Sequence, residues 1–280
     1  MPELFRWKPY LGGLAGRPTW PAWRGGRFAR LAVQGDDGDV TQAPRATGDA
    51  RRAELATNLA AIQERIAAAC EAAGRSTSDV HLIAITKTFP ASDVRLLYEL
   101  GVRDVGENRD QEAAPKAAAC AGLPGLAWHF VGQLQTNKAG HVAGYANVVH
   151  SVDRLRLVRA LGSHARAAGR VITCLVQVSL DGDPARGGAL AAGVPEIAAA
   201  IAAEGSLVLG GVMAIAPLGA PAGEAFAGLP GLSAAVRAIR PEAGMISAGM
   251  SGDLEEAVAA GATHVRIGTA LLGGRPAVVR

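Results

Sequence analysis

The chain has 280 residues, of which 49% are hydrophobic and 19% are charged. This composition excludes a generally disordered chain, and the length suffices for one large domain or two ordinary ones. The 36 glycines indicate many tight turns and argue against a helical bundle. A long uncharged run, residues 205–223, is interrupted by glycines and prolines, so we expect no membrane-spanning segment.

The positive charge of the chain is concentrated at its start. Residues 1–50 contain seven basic and five acidic residues, whereas residues 51–280 contain 21 basic and 20 acidic ones. A protein that binds nucleic-acid phosphates needs a concentrated basic face. The nearly neutral body therefore predicts no nucleic-acid partner. The lack of a heptad or of an exposed apolar repeat favours a monomer.

The three cysteines, Cys70, Cys120 and Cys174, are far apart in the sequence. They form no C-x-x-C motif, and no histidine stands at metal-ligand spacing from them. We therefore expect reduced, partly buried thiols in a cytoplasmic protein and no metal site.

The first fifty residues differ from the rest of the sequence. They contain three of the four tryptophans, many glycines and prolines, and no sustained hydrophobic period. Pro18 and Pro21 would interrupt an amphipathic targeting helix, and a secretory apolar core is absent. We expect residues 1–50 to form an irregular, poorly ordered extension, followed by one domain over residues 51–280. The alternative is a targeting segment, because the first thirty residues hold six basic groups and one acid.

A regular alternation of helical and strand patterns begins at Arg51. Apolar residues recur at helical spacing between Leu55 and Ala69, and Gly74 is a suitable helix end. The apolar, β-branched run over Val80–Thr86 predicts a strand that is buried on both faces. Seven further short apolar runs predict strands at Arg103–Gly106, Trp128–Val131, Val148–Ser151, Ile172–Ser179, Leu207–Ile215, Met245–Ala248 and His264–Ile267.

Helical patterns separate the predicted strands, for example over Val152–Ala168, Pro195–Ala203, Leu232–Ile239 and Leu254–Ala260. Eight strands that alternate with helices over about 230 residues indicate an α/β protein with a (β/α)8 TIM barrel. The competing fold is a doubly wound open sheet, which usually has a glycine-rich turn after its first strand. Residues 87–90 follow the first strand here without a glycine, so we predict the barrel.

The lysine at the end of the first strand is the first candidate for chemistry. Reactive groups of such barrels lie where strands end, and Lys87 directly follows the first predicted strand. The chain has 24 arginines and only 4 lysines, and lysine can form a Schiff base with an aldehyde whereas arginine cannot. The alternative is a strand-end lysine that extends to water. Lys138 is a second candidate, for which a surface role at a helix start is favoured.

A phosphate site is predicted after the seventh and eighth strands, where barrels often bind phosphate. Ser251 lies in the turn of residues 249–252, directly before a predicted helix, where neighbouring N–H groups would face an anion. Gly268 and Thr269 follow the last strand and add further donors. Either turn alone is also explained by an ordinary helix cap. Together with Lys87, the two turns fit a ligand with an aldehyde and one phosphate, which describes pyridoxal phosphate.

Several segments, in order between about residues 51 and 275, resemble the pyridoxal phosphate homeostasis protein family, which is related to the barrel domain of alanine racemases. These segments are residues 85–88 (ITKT), 106–112 (GENRDQE), 128–138 (WHFVGQLQTNK), 150–153 (HSVD), 211–213 (GVM), 249–257 (GMSGDLEEA) and 265–270 (VRIGTA). The first fifty residues have no counterpart in this resemblance.

The resemblance implies a barrel like the alanine racemase N-terminal domain, which binds pyridoxal 5'-phosphate as its cofactor. It implies that Lys87 is the Schiff-base lysine and that Arg266 faces the pyridine nitrogen. Three groups are implied to hold the phosphate: Ser251, Gly268 and Thr269. Three further residues are implied to line the cofactor: Asn108, His129 and Met250.

The sequence departs from the family pattern at three places. Ala248 replaces a bulkier methionine, residues 214–217 (AIAP) replace a threonine-containing turn, and Arg186 stands where a lysine is expected. These changes concern the pocket wall and the loop after the fifth strand. They leave Lys87 and the phosphate turns unchanged.

Two features argue against substrate turnover. A pyridine nitrogen that faces Arg266 stays unprotonated, which weakens the ring as an electron sink and disfavours transamination and decarboxylation. Racemisation needs a base on each face of the substrate carbon. In the related racemases the second base is a tyrosine supported by an extra β domain, for which we expect no room after the last motif. None of the three tyrosines lies in a recognisable catalytic motif: Tyr10, Tyr98 and Tyr145.

We therefore predict a carrier that buffers pyridoxal phosphate inside the cell and delivers it to apo enzymes, with no catalytic residues and no membrane partner. The first alternative is a pyridoxal-phosphate-dependent amino-acid racemase of low activity. The second is a Schiff-base aldolase without a cofactor, which would use Lys87 on a phosphorylated sugar.

Overall fold

The computed structural model describes residues 48–183 and 186–274. The predicted irregular extension therefore lies outside the described residues, except for residues 48–50. These three residues belong to the first helix, α1 (Gly48–Ala72), so the helix begins slightly before the predicted boundary at Arg51. The buried stripe of α1 runs from Leu55 to Ala69, as the sequence period predicts.

Eight parallel strands pair in chain order, and β8 pairs with β1, which closes the barrel. The predicted (β/α)8 barrel is confirmed. The short apolar runs form strands because each strand is covered by helices on its outer face and by other strands on its inner face. The strands are β1 (His81–Ile85), β2 (Asp104–Glu107), β3 (Ala127–Phe130), β4 (Val148–Val152), β5 (Ile172–Val178), β6 (Leu207–Ala214), β7 (Met245–Ser247) and β8 (His264–Ile267).

Helices follow each strand and cover the outside of the barrel. After α1, the described helices are α2 (Ala91–Glu99), α3 (Asp110–Ala119), α4 (Ala139–Tyr145), α5 (Leu155–Ala167), α6 (Val194–Ala203), α7 (Ala222–Phe226), α8 (Leu229–Ile239), α9 (Leu254–Ala259) and α10 (Thr269–Leu272). Helix α1 precedes the first strand and packs on α9 and α10. It therefore covers the region where the barrel closes.

Two predicted helix starts differ from the structure by three residues: α8 begins at Leu229, before the predicted Leu232, and α5 begins after the predicted Val152. The sequence pattern starts the fifth helix at Val152, but Val152 is the last residue of β4, and α5 begins at Leu155. Val152 pairs with Val176 of β5 after a register shift and is fully buried. A β-branched residue favours this strand position, and a strand period cannot be told from a helix period over so few residues.

Alternate residues of each strand face the barrel interior. On β5 these are Leu175 and Gln177, and on β8 they are His264 and Arg266. Gly106 of β2 also faces inward, because a Cβ atom at this position would lie 2.4 Å from Cδ1 of Ile85. The interior is therefore a packed layer of side chains below the ends of the strands.

Among the described helices, none combines the length and the apolar character that crossing a membrane requires.

All three cysteine side chains are buried and reduced. Burial raises the pKa of the Cys174 thiol to about 12 and also raises the pKa of Cys70 and Cys120. Because the thiolate is the reactive form, we expect the folded protein to react with a disulfide reagent such as Ellman's reagent only slowly at pH 8. The unfolded protein should release three equivalents within minutes. A thiol that reacts quickly in the native protein would contradict this prediction.

Candidate functional site

A cavity of about 430 Å³ lies at the carboxyl ends of the strands. Its wall is formed by the segments that follow β1, β2, β3, β5, β6, β7 and β8, together with residues of β1, β5 and β8. Seven of the eight predicted site residues line this cavity: Lys87, Asn108, Met250, Ser251, Arg266, Gly268 and Thr269. Groups that are up to 182 positions apart in the sequence are therefore brought together at one end of the barrel.

A buried polar cluster fixes the chain just before Lys87. Thr86 is fully buried, and its Oγ1 donates a hydrogen bond of 2.6 Å to Oε1 of Glu107 on β2. Nζ of Lys116 on α3 donates to the same carboxylate oxygen at 2.5 Å and to the backbone oxygen of Thr86 at 2.8 Å. Two elements, β2 and α3, thus hold the chain at the end of β1, and this sets where the Lys87 side chain enters the cavity.

The backbone after Lys87 has an uncommon conformation. Thr88 has a φ of 68°. Among the described residues, it is the only non-glycine residue with a positive φ. Its N–H donates to Oε2 of Glu112 at 3.0 Å, which helps to hold this conformation. Backbone strain of this kind is concentrated at binding and catalytic sites, because the surrounding structure must compensate for it. The turn at Lys87 is therefore a candidate functional segment.

The turn that contains Ser251 is held from both sides. Met250 N–H donates to Oδ1 of Asp253 at 2.6 Å, inside the turn. From outside, Arg65 of α1 donates to the backbone oxygen of Ser251 at 3.2 Å and forms a two-pronged pair with Glu255 at 3.0 and 2.9 Å. Gly268 and Thr269 lie at the start of α10 on the neighbouring strand end. The anchors fix the Ser251 turn, and Ser251, Gly268 and Thr269 all line the cavity.

Arg266 reaches the cavity from the barrel interior. Its side chain is almost fully buried, and it donates to Oγ of Ser247 at 2.6 Å and to the backbone oxygen of Ala214 at 2.8 Å. Burial lowers its pKa to about 10, against the opposing charge of Asp253. The guanidinium is therefore still protonated at neutral pH, and it offers further N–H groups to the cavity.

The charges around the cavity have one sign. Three cationic side chains line it, those of Lys87, Arg186 and Arg266, and among its described lining residues there is no carboxylate. Oδ2 of Asp181 accepts a hydrogen bond of 2.6 Å from Arg186, which also donates to the backbone oxygen of Ala216 at 2.8 Å. Such an arrangement favours an anionic ligand.

The structure places His129 below the cavity and not on its wall, which corrects the position expected from the sequence. His129 is buried on β3, in register with Gly106, and its ring nitrogens lie 2.9 Å from Asp104 and 2.8 Å from His150. The inward-facing residue of the next layer, Val131, lines the cavity instead. The cavity residue predicted on this segment, His129, is therefore one inward-facing position before the residue that lines the cavity, Val131.

Four polar lining residues were absent from the predicted site: Thr88, Gln133, Gln177 and Arg186. Gln177 could have been predicted from the sequence, because a polar residue near the end of an otherwise apolar buried strand indicates a binding site. Arg186 belongs to a loop whose path the sequence does not define. Of the family departures, Ala248 is fully buried and does not belong to the cavity wall.

The two described tyrosines, Tyr98 and Tyr145, do not line the cavity. Tyr98 donates to the backbone oxygen of Pro124 at 2.9 Å on the outside of the barrel. The hydroxyl of Tyr145 is buried near α3, where burial raises its pKa. Tyr10 lies outside the described residues. Lys138 ends a short 3₁₀ turn, residues 136–138, and does not line the cavity.

Residues 57–276 match the family of the alanine racemase N-terminal domain. The chain is 47% identical over 243 residues to the pyridoxal phosphate homeostasis protein of Mycobacterium bovis, and the match covers 80% of this chain and 94% of that protein.

Two solved structures share the fold. A protein of unknown function from Bifidobacterium adolescentis has a TM-score of 0.75 and 31% identity, and the match covers 82% of this chain and 98% of that one. PipY from Synechococcus elongatus, solved with pyridoxal phosphate bound, has a TM-score of 0.69 and 34% identity, with coverage of 78% and 100%. Fold, cavity and sequence agree, and the chain belongs to the pyridoxal phosphate homeostasis protein family.

Proposed function

We propose that this protein binds pyridoxal 5'-phosphate in the cavity at the carboxyl ends of the strands and holds it as a Schiff base on Lys87. The observation that carries the proposal is the composition of the cavity wall. It combines a lysine, two further cations and two turns of hydroxyl and N–H donors, with no carboxylate among the described lining residues. This set matches a ligand with one aldehyde and one phosphate.

The residues present fit the parts of the cofactor. Ser251, Gly268 and Thr269 would hold the phosphate, because they form the donor-rich side of the cavity. Arg266 would face the pyridine nitrogen, and Asn108 and Met250 would line the ring. PipY, the relative solved with pyridoxal phosphate bound, has the same fold over most of this chain, which supports this assignment.

The ionisable groups of the wall support a carrier that does not turn over a substrate. When bound, pyridoxal phosphate supplies an electron sink, and a protonated Arg266 beside its ring nitrogen weakens that sink. Racemisation also needs two bases, one on each face of the substrate carbon. Besides two arginines, Lys87 is the ionisable side chain on the described wall, and the other polar side chains there are amides and hydroxyls.

On this basis the protein serves intracellular pyridoxal phosphate homeostasis by buffering the cofactor and delivering it to apo enzymes in the cytoplasm. The three buried thiols support a cytoplasmic location. A racemase of low activity is the second candidate, because the matched family is a domain of alanine racemase.

The test is an absorbance spectrum of the purified protein before and after borohydride, on the wild type and on Lys87→Ala. We expect a Schiff-base band in the wild type that borohydride removes, with the reduced cofactor attached to the peptide of Lys87. Lys87→Ala should lose the band and the attachment. Lys138→Ala is the matched control, since Lys138 lies outside the cavity, and it should behave as wild type.

The same preparations should be incubated with L-alanine and D-alanine. No change in chirality beyond a buffer blank is expected. Racemisation that Lys87→Ala abolishes would favour the racemase instead. A wild-type protein that cannot be reconstituted with pyridoxal phosphate would contradict both cofactor functions and favour the aldolase.

A further inference from the structure

One half of the barrel interior is polar. Barrels of this fold usually fill their interior with branched apolar side chains. Here a small apolar cluster in the interior consists of Leu175, Met213 and Met245 on β5 to β7. The opposite side holds four of the six histidines, His81, His129, His150 and His264. Burying polar rings is costly unless each one is hydrogen-bonded, so this half of the interior calls for an explanation.

Four side chains of this half form a continuous chain of hydrogen bonds that ends at Arg266. Asp104 Oδ1 lies 2.9 Å from Nε2 of His129, and Nδ1 of His129 lies 2.8 Å from Nε2 of His150. Nδ1 of His150 lies 2.9 Å from Oγ of Ser247, which accepts the 2.6 Å bond from Arg266. We call Asp104, His129, His150 and Ser247 the interior chain.

The interior chain spans the barrel in two directions. His150 is on β4 and Ser247 is on β7, and these strands pair with other neighbours, so their hydrogen bond crosses the interior. Asp104 is the first residue of β2, at the end of the barrel opposite the cavity, and its side chain is 21% exposed. The interior chain therefore connects that opposite end to the cavity wall.

The two ends of the interior chain fix the direction of every hydrogen bond in it. Arg266 has only donors and an ionised Asp104 has only acceptors, so with both rings neutral Ser247 accepts from Arg266 and directs its own proton to Nδ1 of His150. His150 then carries its proton on Nε2 and donates to Nδ1 of His129. His129 carries its proton on Nε2 and donates to the Asp104 carboxylate. Each polar atom along this path has the partner it needs.

The electrostatics agree with this direction. Burial lowers the pKa of His150 far below its usual value, so His150 is neutral. Burial alone would raise the pKa of Asp104, but its hydrogen bond with His129 and the nearby histidines, including His81 and His264, hold that pKa below its usual value. Asp104 is thus a carboxylate at neutral pH. Among the described residues, no group of three or more histidine, cysteine or acidic side chains is placed to hold a metal ion.

We propose that the interior chain is a positioning relay for Arg266, which fixes the rotamer of the guanidinium and the N–H groups that it presents to the cavity. Without Ser247, the guanidinium would lose one of its two interior anchors and keep the backbone oxygen of Ala214. The inference rests on the proposed function in one respect, namely that the N–H groups of Arg266 meet the ring nitrogen of pyridoxal phosphate.

The first experiment needs no cofactor. Two-bond ¹H–¹⁵N spectra of the histidine rings in the wild type should show His129 and His150 with the proton on Nε2. Asp104→Asn removes the charged acceptor at the far end, and we expect it to shift the ring nitrogens of both histidines and the guanidinium signals of Arg266. Asp104→Glu keeps the carboxylate and should restore them. Leu175→Met, in the apolar half of the interior, is the control for a general loosening of the barrel and should leave these signals unchanged.

The second experiment measures binding of pyridoxal phosphate and the position of the bound absorbance band in the same variants. Ser247→Ala should weaken binding about tenfold, the usual effect of losing a hydrogen bond to a charged group. Asp104→Asn should weaken it less but shift the band in the same direction. Asp104→Glu and Leu175→Met should remain within about twofold of the wild type.

The outcomes separate the relay from the proposed function. If the wild type does not bind pyridoxal phosphate while Asp104→Asn still moves the Arg266 signals, the proposed function fails and the relay remains. A His150 proton on Nδ1 in the wild type would overturn the relay. It would also be overturned if Asp104→Asn behaved like Leu175→Met in both experiments, since Ser247 alone would then hold Arg266.

Discussion

Replacing Ser251 by aspartate is expected to weaken the binding of pyridoxal phosphate about a hundredfold. The new carboxylate would lie in the turn that we assign to the phosphate, which carries nearly two negative charges at neutral pH. Two like charges about 4 Å apart near a protein surface repel each other by about 4 kcal/mol. Screening by salt and solvent at this partly exposed turn reduces the effect to about 2.7 kcal/mol, which corresponds to the stated hundredfold loss. The measurement is a titration of the apo protein with pyridoxal phosphate, followed by absorbance.

Ser251→Asn is the matched control, because asparagine has the size of aspartate without its charge. It should lose no more than about tenfold, the effect of one hydrogen bond to a charged group. Both variants should fold normally, since Ser251 lies in a partly exposed turn and an acid near a helix start is favourable. Equal losses in the two variants would show that size and not charge matters here, and would contradict the phosphate assignment.

Replacing Lys116 by methionine is expected to destabilise the protein by about 3 to 5 kcal/mol. The side chain of Lys116 is 7% exposed and that of Glu107 is 1% exposed, so the pair lies almost entirely inside the protein. Oε2 of Glu107 has no hydrogen-bond partner in the described structure. Without Lys116, a buried carboxylate would keep only the hydroxyl of Thr86 as a donor. The free energy of unfolding in urea measures the effect.

The double variant Glu107→Gln with Lys116→Met removes both charges and should recover most of the lost stability. The pH dependence of the single variant gives a second check. Burial raises the pKa of Glu107, and Lys116 opposes this rise, so the variant should have a still higher pKa at this site. A raised pKa in the folded state means that stability is lost as the pH increases. The deficit of Lys116→Met should therefore be larger at pH 8 than at pH 5, and an equal deficit would argue that packing is the cause.

The barrel can be predicted because its signal is local. Each strand is covered on both faces, so it appears in the sequence as a short apolar run, and the helices between the strands show the helical period. The boundary at Val152 is an exception, because the two periods overlap there. The order of the elements also locates Lys87 and Ser251 at one end of the barrel, because parallel strands share their carboxyl ends.

Local patterns along the chain are therefore sufficient for the barrel, its strand order and the positions of Lys87, Ser251, Gly268 and Thr269 in the cavity wall. The layer of the barrel interior in which a side chain lies, and the contacts that it makes across the interior, depend on the closed tertiary structure. Whether an inward-facing residue such as His129 reaches the cavity or lies one layer below it depends on the stagger of the strands, which no local period encodes. The bond between His150 and Ser247 joins residues 97 positions apart on strands that are not neighbours, so only closure of the barrel brings them together.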